Sequence, residues 1–478
     1  MRLKQRHRPL AADNPPTPSP GRWQWLLALR DRSRGSRRPA SWRDYQRSLQ
    51  RARRVPRRLP SWLVPAACGL AAAILLGVAL WERGGSPTAG ASHTPPVPTQ
   101  PEVALKAVLA KADLTNLLGT QVLSRLRDRE LQMDFGRRHL TITTTLEAPL
   151  QQYLLEHLDD PHARYVAVVV MVPESGRVVA LAGRDRDDPT VDPCIGESFP
   201  AASIFKIVTA AAALEKAGLK AGSPIAYNGA KHTLYKSQLR DTRNRYTRET
   251  TLQDSFAESV NPVFGRIGSQ MLGGPALETY ARQFGFNRPI PFERLLPESR
   301  LVLTDQPYQW AEVASGFNRE TTISPLHGAM LAAAVVNDGR MMEPSIVERI
   351  VDPDGQVLYT SQPAALGQAL SAGAARDMRQ MMLATVRRGT ARKLFRDTAR
   401  DRVLAGVEIG GKTGSIDNRS HDLRLDWFVG YATDPAGTSI AVAVLVAHEK
   451  FIGRRAATYA RMAIKEYFRA RSASANAS

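Results

Sequence analysis

Pro200-Ala-Ala-Ser203-Ile-Phe-Lys206-Ile-Val-Thr-Ala-Ala-Ala-Ala-Leu-Glu215 is the stretch from which the rest of the chain can be read. After Ser203 it holds strong helix formers and neither Gly nor Pro, so Ser203 is expected to open a helix. Residues three apart share a helix face, which sets a hydroxyl beside an amine. That pairing activates a weak nucleophile without a histidine. No second Ser-x-x-Lys occurs in the 478 residues.

Two further short elements follow in order. Ser259-Val-Asn261 comes first, then Lys412-Thr413-Gly414, and no other Lys-[Ser/Thr]-Gly occurs in the chain. Each alone carries little weight, and Ser474-Ala-Asn476 repeats the Ser-x-Asn pattern in the tail. Lys206 can take a proton from Ser203 only as a neutral amine. Its pKa must therefore be lowered by burial or by a neighbouring cation, for which Lys412 is the candidate. Ser259 is suited to relaying a proton, Asn261 to pairing with a peptide amide, and Lys412 and Thr413 to holding a carboxylate.

Charge separates the chain into parts. Lys plus Arg total 65 against 45 Asp plus Glu, a net charge of +20. Residues 1–60 hold 17 basic and 3 acidic residues, so +14 lies there and only +6 in the other 418 residues. A basic globular domain is not indicated, and nucleic acid is not an expected partner. Residues 62–81 (WLVPAACGLAAAILLGVALW) carry no charge, and a run of 20 fits one bilayer crossing. Arginines crowd its N-terminal side, so the N-terminus is expected to be cytoplasmic and the bulk of the chain outside. A cleaved signal peptide fits less well, because its basic region would be far too long.

The expected organisation is a basic tail over 1–61, a transmembrane helix over 62–81, a linker and small helical pedestal over 82–138, a catalytic domain over 139–471 and a polar tail over 472–478. Helical spacing is read over 102–135. Strand-like runs stand at both ends of the catalytic part, at 140–145, 165–172, 177–182, 426–431 and 439–446. The middle (202–283, 323–337, 372–388) reads as helix. This predicts an α+β fold, one antiparallel sheet packed against helices. Cys68 lies in the span and Cys194 outside it, so no disulfide between them is expected; Cys194 is read as a spectator thiol. The histidines show no metal-ligand spacing and no phosphate loop occurs, so no metal and no cofactor is expected.

The three elements in this order resemble the penicillin-binding proteins, the D,D-transpeptidases of bacterial wall synthesis. Glu258-Ser-Val-Asn-Pro-Val-Phe264, Ile323-Ser-Pro-Leu-His-Gly-Ala-Met330 and Asp426-Trp-Phe-Val-Gly-Tyr431 also look like family segments, and the likeness covers about 140–470. The resemblance implies the penicillin-binding and serine β-lactamase type of fold, with a five-stranded antiparallel sheet. It implies Ser203, Lys206 and Ser259 as catalytic residues. It implies Asn261, Lys412, Thr413, Gly414 and Ser415 as substrate-binding residues, with the Ser203 and Ser415 backbone N–H groups as an oxyanion hole contributing roughly 3–4 kcal/mol per donor. The implied substrate is the peptidoglycan stem peptide and the implied covalent inhibitors are β-lactams. Ile204 departs from the Thr common after the nucleophile, at no cost in catalytic atoms. Residues 82–139 are too few for a glycosyltransferase domain, so a monofunctional, anchored enzyme with a separate glycosyltransferase partner is expected at the bacterial cytoplasmic membrane, periplasmic in a Gram-negative cell. The alternatives are a serine β-lactamase and a non-catalytic β-lactam sensor or scaffold. Trp427 and Phe428 are expected as sheet core and site wall, and Glu258 and Asp426 as supporting carboxylates.

Overall fold

The computed structural model describes residues 108–475 apart from 120, 137, 197 and 198. The expected membrane span over 62–81 and the basic tail before it lie outside the described residues. No helix among the described residues is long and apolar enough to cross a membrane.

Five strands build the central sheet: β1 Ala163–Met171, β2 Val178–Asp185, β3 Glu408–Asp417, β4 Arg424–Thr433 and β5 Ser439–His448. Their spatial order is β3-β4-β5-β1-β2, antiparallel throughout, so the expected sheet is present and β3 is an edge. Alternation assigns the two faces. Trp427, Val429, Tyr431, Ala443, Leu445, Ala167 and Val169 join one core. Phe428, Val442, Val444, Val446, Val168 and Val170 join the other. The second face is covered by the helices Ala148–His157 and Ala456–Ala475. Against the first face lies Pro325–Val336, buried on all sides as its near-continuous apolar sequence requires. The helix Ala372–Arg387 packs against it in turn.

Three details depart from the pattern in the sequence. Only Lys111–Leu118 of 102–135 is described as α-helix; Leu123–Arg125 is a 3-10 turn and Glu130–Phe135 a strand. That strand pairs with Arg138–Thr144, and Val347–Val351 and Val357–Thr360 extend the pair to a second, four-stranded sheet. The strand alternates half-buried and exposed positions, a shallow burial that blurs its period. Second, Leu114, Leu117 and Leu118 are buried in the same core as the helices Lys206–Glu215 and Asn261–Arg266. Third, the closing helix runs through Ser472 to Ala475 where a polar tail was expected, and the Ser472 hydroxyl donates to the Phe468 carbonyl at 2.9 Å.

Candidate active site

The nucleophile turn is tighter than expected. Ala202–Phe205 is a 3-10 turn, and the α-helix begins at Lys206 and runs to Glu215. In a 3-10 turn residues i and i+3 eclipse one another. The tighter winding therefore sets Lys206 directly against Ser203, and Nζ and Oγ are 2.9 Å apart. Ala202 enters the turn at φ 49°, a left-handed backbone that a β-carbon disfavours.

Lys206 is fully buried. Its Nζ also donates to Asn261 Oδ1 at 2.8 Å and to the Ser315 carbonyl at 2.5 Å. The Phe264 ring lies beneath it, 5.5 Å from Nζ to the centroid. Burial drives its pKa well below the ordinary lysine value, and the charge of Lys412 pushes the same way. A neutral amine has two N–H bonds and one lone pair. Asn261 and Ser315 accept the two N–H bonds, so the lone pair is left facing the Ser203 hydroxyl. The amine is set to accept the hydroxyl proton.

Ser259 links this centre to the second lysine. It stands between the helices Leu252–Ala257 and Asn261–Arg266 at φ 56°, again left-handed. Lys412 Nζ donates to Ser259 Oγ at 3.0 Å and to the Thr413 carbonyl at 2.8 Å, with the Phe256 ring 5.6 Å away. Burial lowers the Lys412 pKa to about 7. Lys412 was expected as the cation that depresses Lys206; the enclosure of Lys206 is the larger cause, and Lys412 shares it.

Edge strand β3 brings Lys412, Thr413, Gly414 and Ser415 alongside the nucleophile. A β-carbon at Gly414 would lie 3.3 Å from Ala202 Cβ and from Ile204 Cγ2, so β3 packs directly on the turn. Thr413 Oγ1 is 2.6 Å from Thr390 Oγ1, and Arg424 Nε donates to Ser415 Oγ at 3.1 Å. Trp427, one strand away, donates its indole N–H to the Pro200 carbonyl at 3.0 Å and braces the segment leading to Ser203. All eight expected residues thus meet at one place.

The supporting carboxylates divide as follows. Glu258 pairs with Lys231 at 2.9 Å. Asp426 accepts from Arg455 Nε and Nη2, each at 2.8 Å, and from the Ala456 N–H at 2.9 Å, tying the closing helix to β4. Burial alone would raise its pKa, but the His448 ring 3.9 Å away and the hydrogen bonds from Arg455 and Ala456 hold it below the usual carboxylate value. Cys194 is fully buried and its thiol is pushed well up by burial, so it offers no nucleophile.

Sequence reasoning missed Ser315, Gly316 and Thr390. Ser315 acts through a backbone carbonyl, which any residue carries, so no side chain could betray it. It is placed by the helix Pro307–Ser315, whose approach to the Asn261 side is set at Gly268: a β-carbon there would lie 2.2 Å from Ala314 Cβ. Gly316 ends that helix at φ 64° directly against the backbone of Ala202. A glycine after a helix was a legible signal, though it reads first as a cap.

Residues 166–467 match the family model described as the penicillin binding protein transpeptidase domain. The peptidoglycan D,D-transpeptidase PbpA of Mycolicibacterium smegmatis is 28% identical over 319 residues, covering 59% of this chain and 61% of the relative. PbpA of Mycobacterium tuberculosis is 26% identical over 316 residues, with the same coverage of 59% and 61%. The chain thus spans about three fifths of these relatives. Among solved structures, the D,D-transpeptidase domain of a peptidoglycan glycosyltransferase from Eggerthella lenta superposes with TM-score 0.58 at 26% identity, covering 69% of this chain and 83% of that one. The penicillin G acyl-enzyme complex of penicillin-binding protein A from M. tuberculosis gives TM-score 0.54 at 25% identity, over 68% and 80%. With the family match running from β1 to the closing helix and enclosing the Ser203, Ser259 and Lys412 elements, the chain belongs to the penicillin-binding protein transpeptidase family.

Proposed function

We propose that this chain is a peptidoglycan D,D-transpeptidase that works through an acyl-enzyme on Ser203. The observation that carries the reading is the buried Lys206 Nζ, 2.9 Å from Ser203 Oγ and bonded to Asn261 Oδ1 and the Ser315 carbonyl, which leaves a neutral amine's lone pair the direction of Ser203. Ser203 Oγ attacks the penultimate D-alanine carbonyl of a stem peptide while Lys206 takes the hydroxyl proton. Ser259, hydrogen-bonded to Lys412, passes its hydroxyl proton to the leaving amine and regains one from Lys412 Nζ, and the C–N bond breaks with release of D-alanine. An amine of a second stem peptide then attacks the ester, and Ser203 regains its proton as the crosslink forms. One peptide bond is exchanged for another, so no nucleotide is consumed. Asn261 spends its carbonyl oxygen on Lys206, which leaves its Nδ2 as the end suited to a substrate carbonyl.

β-Lactams acylate the same serine in this reading, as the penicillin G complex of the M. tuberculosis protein supports. The N-terminal apolar run anchors the chain in the cytoplasmic membrane with the catalytic part outside, and a separate glycosyltransferase supplies the glycan strands. A fluorescent penicillin tests the core of the reading. The wild-type chain is expected to carry a stable covalent label that Ser203→Ala loses. Absence of labelling by any penicillin, or labelling that survives Ser203→Ala, overturns it.

A further inference from the structure

Thr390 joins two walls of the site. It follows the helix Ala372–Arg387, and its N–H donates to the Ala257 carbonyl at 3.1 Å. Ala257 ends the helix Leu252–Ala257, where carbonyls lack a partner within the helix. The approach is set one residue earlier. A β-carbon at Gly389 would stand 2.4 Å from the Ala257 oxygen and 2.8 Å from Thr385 Cα. Before it, Arg388 Nε and Nη2 donate to Asp254 Oδ1 at 3.0 and 2.8 Å. Arg388, Gly389 and Thr390 are thus seated on the helix that leads into the Ser259 turn. From that seat the Thr390 hydroxyl lies 2.6 Å from Thr413 Oγ1 on β3.

One of the two hydroxyls donates and the other accepts, and the next position on β3 shows which order serves an anion. Thr413 and Ser415 are two apart on a strand, so they project from the same side. Arg424 Nε donates to Ser415 Oγ at 3.1 Å. A guanidinium can only donate, so Ser415 Oγ accepts and its own proton is free. Thr413 is half-buried and Ser415 exposed, so both stand open to an incoming group. The Lys412 amine is buried and donates to Ser259 Oγ and the Thr413 carbonyl. Hydroxyl protons are therefore what an anion meets along this stretch of β3. A Thr413 that donates to Thr390 has no proton left for it. A Thr413 that accepts from Thr390 keeps its proton, and the two hydroxyls polarise in the direction that favours a negative charge.

We propose that Thr390 is a positioning residue for the substrate carboxylate: its hydroxyl donates to Thr413 Oγ1 and so turns the Thr413 proton outward to the anion. This rests on the acyl-transfer reading above, with Thr413 holding the carboxylate. Thr390 acts through Thr413 and not on the reacting atoms. Its hydroxyl therefore governs how tightly a carboxylate-bearing acyl donor binds and leaves the chemical step alone. Its backbone N–H, which caps Ala257, is a separate contact that any residue other than proline can keep.

The test is stopped-flow acylation of the full chain by a fluorescent penicillin, with the dissociation constant K and the acylation rate constant k2 resolved separately. Thermal melts accompany each variant. Thr390→Val removes the hydroxyl and keeps the N–H. It is expected to raise K about tenfold, with k2 within twofold of wild type and the melting temperature unchanged. Thr390→Ser, which restores a hydroxyl, is expected to bring K within threefold of wild type. The methyl ester of the same penicillin carries no anion, and wild type and Thr390→Val are expected to agree on it within twofold in k2/K. Adding Thr390→Val to Thr413→Val is expected to change k2/K for the free acid less than twofold. The inference is overturned if Thr390→Val keeps K within twofold of wild type, if the loss falls on k2, if Thr390→Ser loses as much as Thr390→Val, or if acid and ester lose equally. Where the ester acylates the wild type too slowly to follow, the double variant decides, and full additivity there overturns the inference. A wild-type chain that takes no label sinks the acyl-transfer reading itself; a labelled wild type with an unaffected Thr390→Val sinks this inference alone.

Discussion

Gly316→Ala isolates the contact on which the nucleophile turn rests. Gly316 follows Ser315, whose carbonyl accepts from Lys206, and it holds φ 64°. A β-carbon there would stand 1.8 Å from the Ala202 carbonyl oxygen, 2.4 Å from its carbon and 2.9 Å from the Ser203 nitrogen. Carbons of this kind do not approach within 3.0 Å, so the two backbones must part by about 1.2 Å. Neither side can give by rotating a side chain. The Ser315 carbonyl holds the base from one side while the displaced turn carries the nucleophile on the other, so separation of the backbones separates Ser203 from Lys206. Misplacement of reacting groups by about 1 Å costs on the order of 100-fold in rate, equivalent to about 2.7 kcal/mol. Gly316→Ala is therefore expected to lower k2/K for a fluorescent penicillin at least 100-fold, with a stability loss of about 1–3 kcal/mol in urea melts. Gly437→Ala is the control, since φ there is 89° but a β-carbon meets nothing within 4 Å. It should lose about 1 kcal/mol of stability through backbone strain and acylate normally. Acylation of Gly316→Ala within threefold of wild type would refute the reasoning.

Lys206→Arg keeps a basic side chain of similar reach but stays charged and cannot take up a proton near neutral pH. Its acylation should fall by roughly 10²–10⁴, as for loss of a general base, and a rate within tenfold of wild type in the same stopped-flow assay would contradict the base assignment. Lys412 predicts a pH effect on stability. Its folded pKa of about 7 lies below the unfolded lysine value near 10.4, so between these the unfolded chain binds a proton that the native chain does not. Stability therefore rises with pH across that window, by at most about 1.4 kcal/mol per unit from this one group. Urea melts at pH 7 and 9 should show a larger gain for wild type than for Lys412→Met, and equal gains would dismiss the shift. Asp426→Asn keeps the shape but weakens the bidentate pair with Arg455. Because the Arg455 side chain is 46% exposed, the expected loss is about 1–2 kcal/mol by urea melt, below that of a wholly buried pair.

The legibility of this chain follows from which groups act through side chains. Ser203, Lys206, Ser259, Asn261, Lys412 and Thr413 stood out as candidates because they lie in rare spacings of functional side chains. The sheet was readable where both faces are buried, as in β1 and β5, whose β-branched runs admit few other structures. β3 was harder, because Gly410 and Gly411 weaken any strand pattern. They stand there because β-carbons would meet the Tyr431 and Phe428 rings of the neighbouring strand at 2.4 Å. That reason exists only once the strands are paired. The Ser315 carbonyl and the Gly316 contact were hidden for the same cause: each acts through backbone placed by distant sequence.

The spacing of Ser203 and Lys206 is therefore necessary without being sufficient. A surface Ser-x-x-Lys on any helix has the same geometry and a protonated amine, which cannot accept a proton. The base is created by enclosure. Phe264 from the Asn261 helix, the Ser315 carbonyl from the helix before Gly316, and Lys412 from the sheet edge all have to arrive before the Lys206 amine can be neutral at working pH. Each wall also removes one alternative use of the amine: Asn261 and Ser315 accept its two N–H bonds, and only the direction toward Ser203 is left for the lone pair. In the acyl-transfer reading proposed above, the serine is thus activated by the fold as a whole, and a partly folded chain with the same four residues in sequence would carry a charged lysine beside an inert serine.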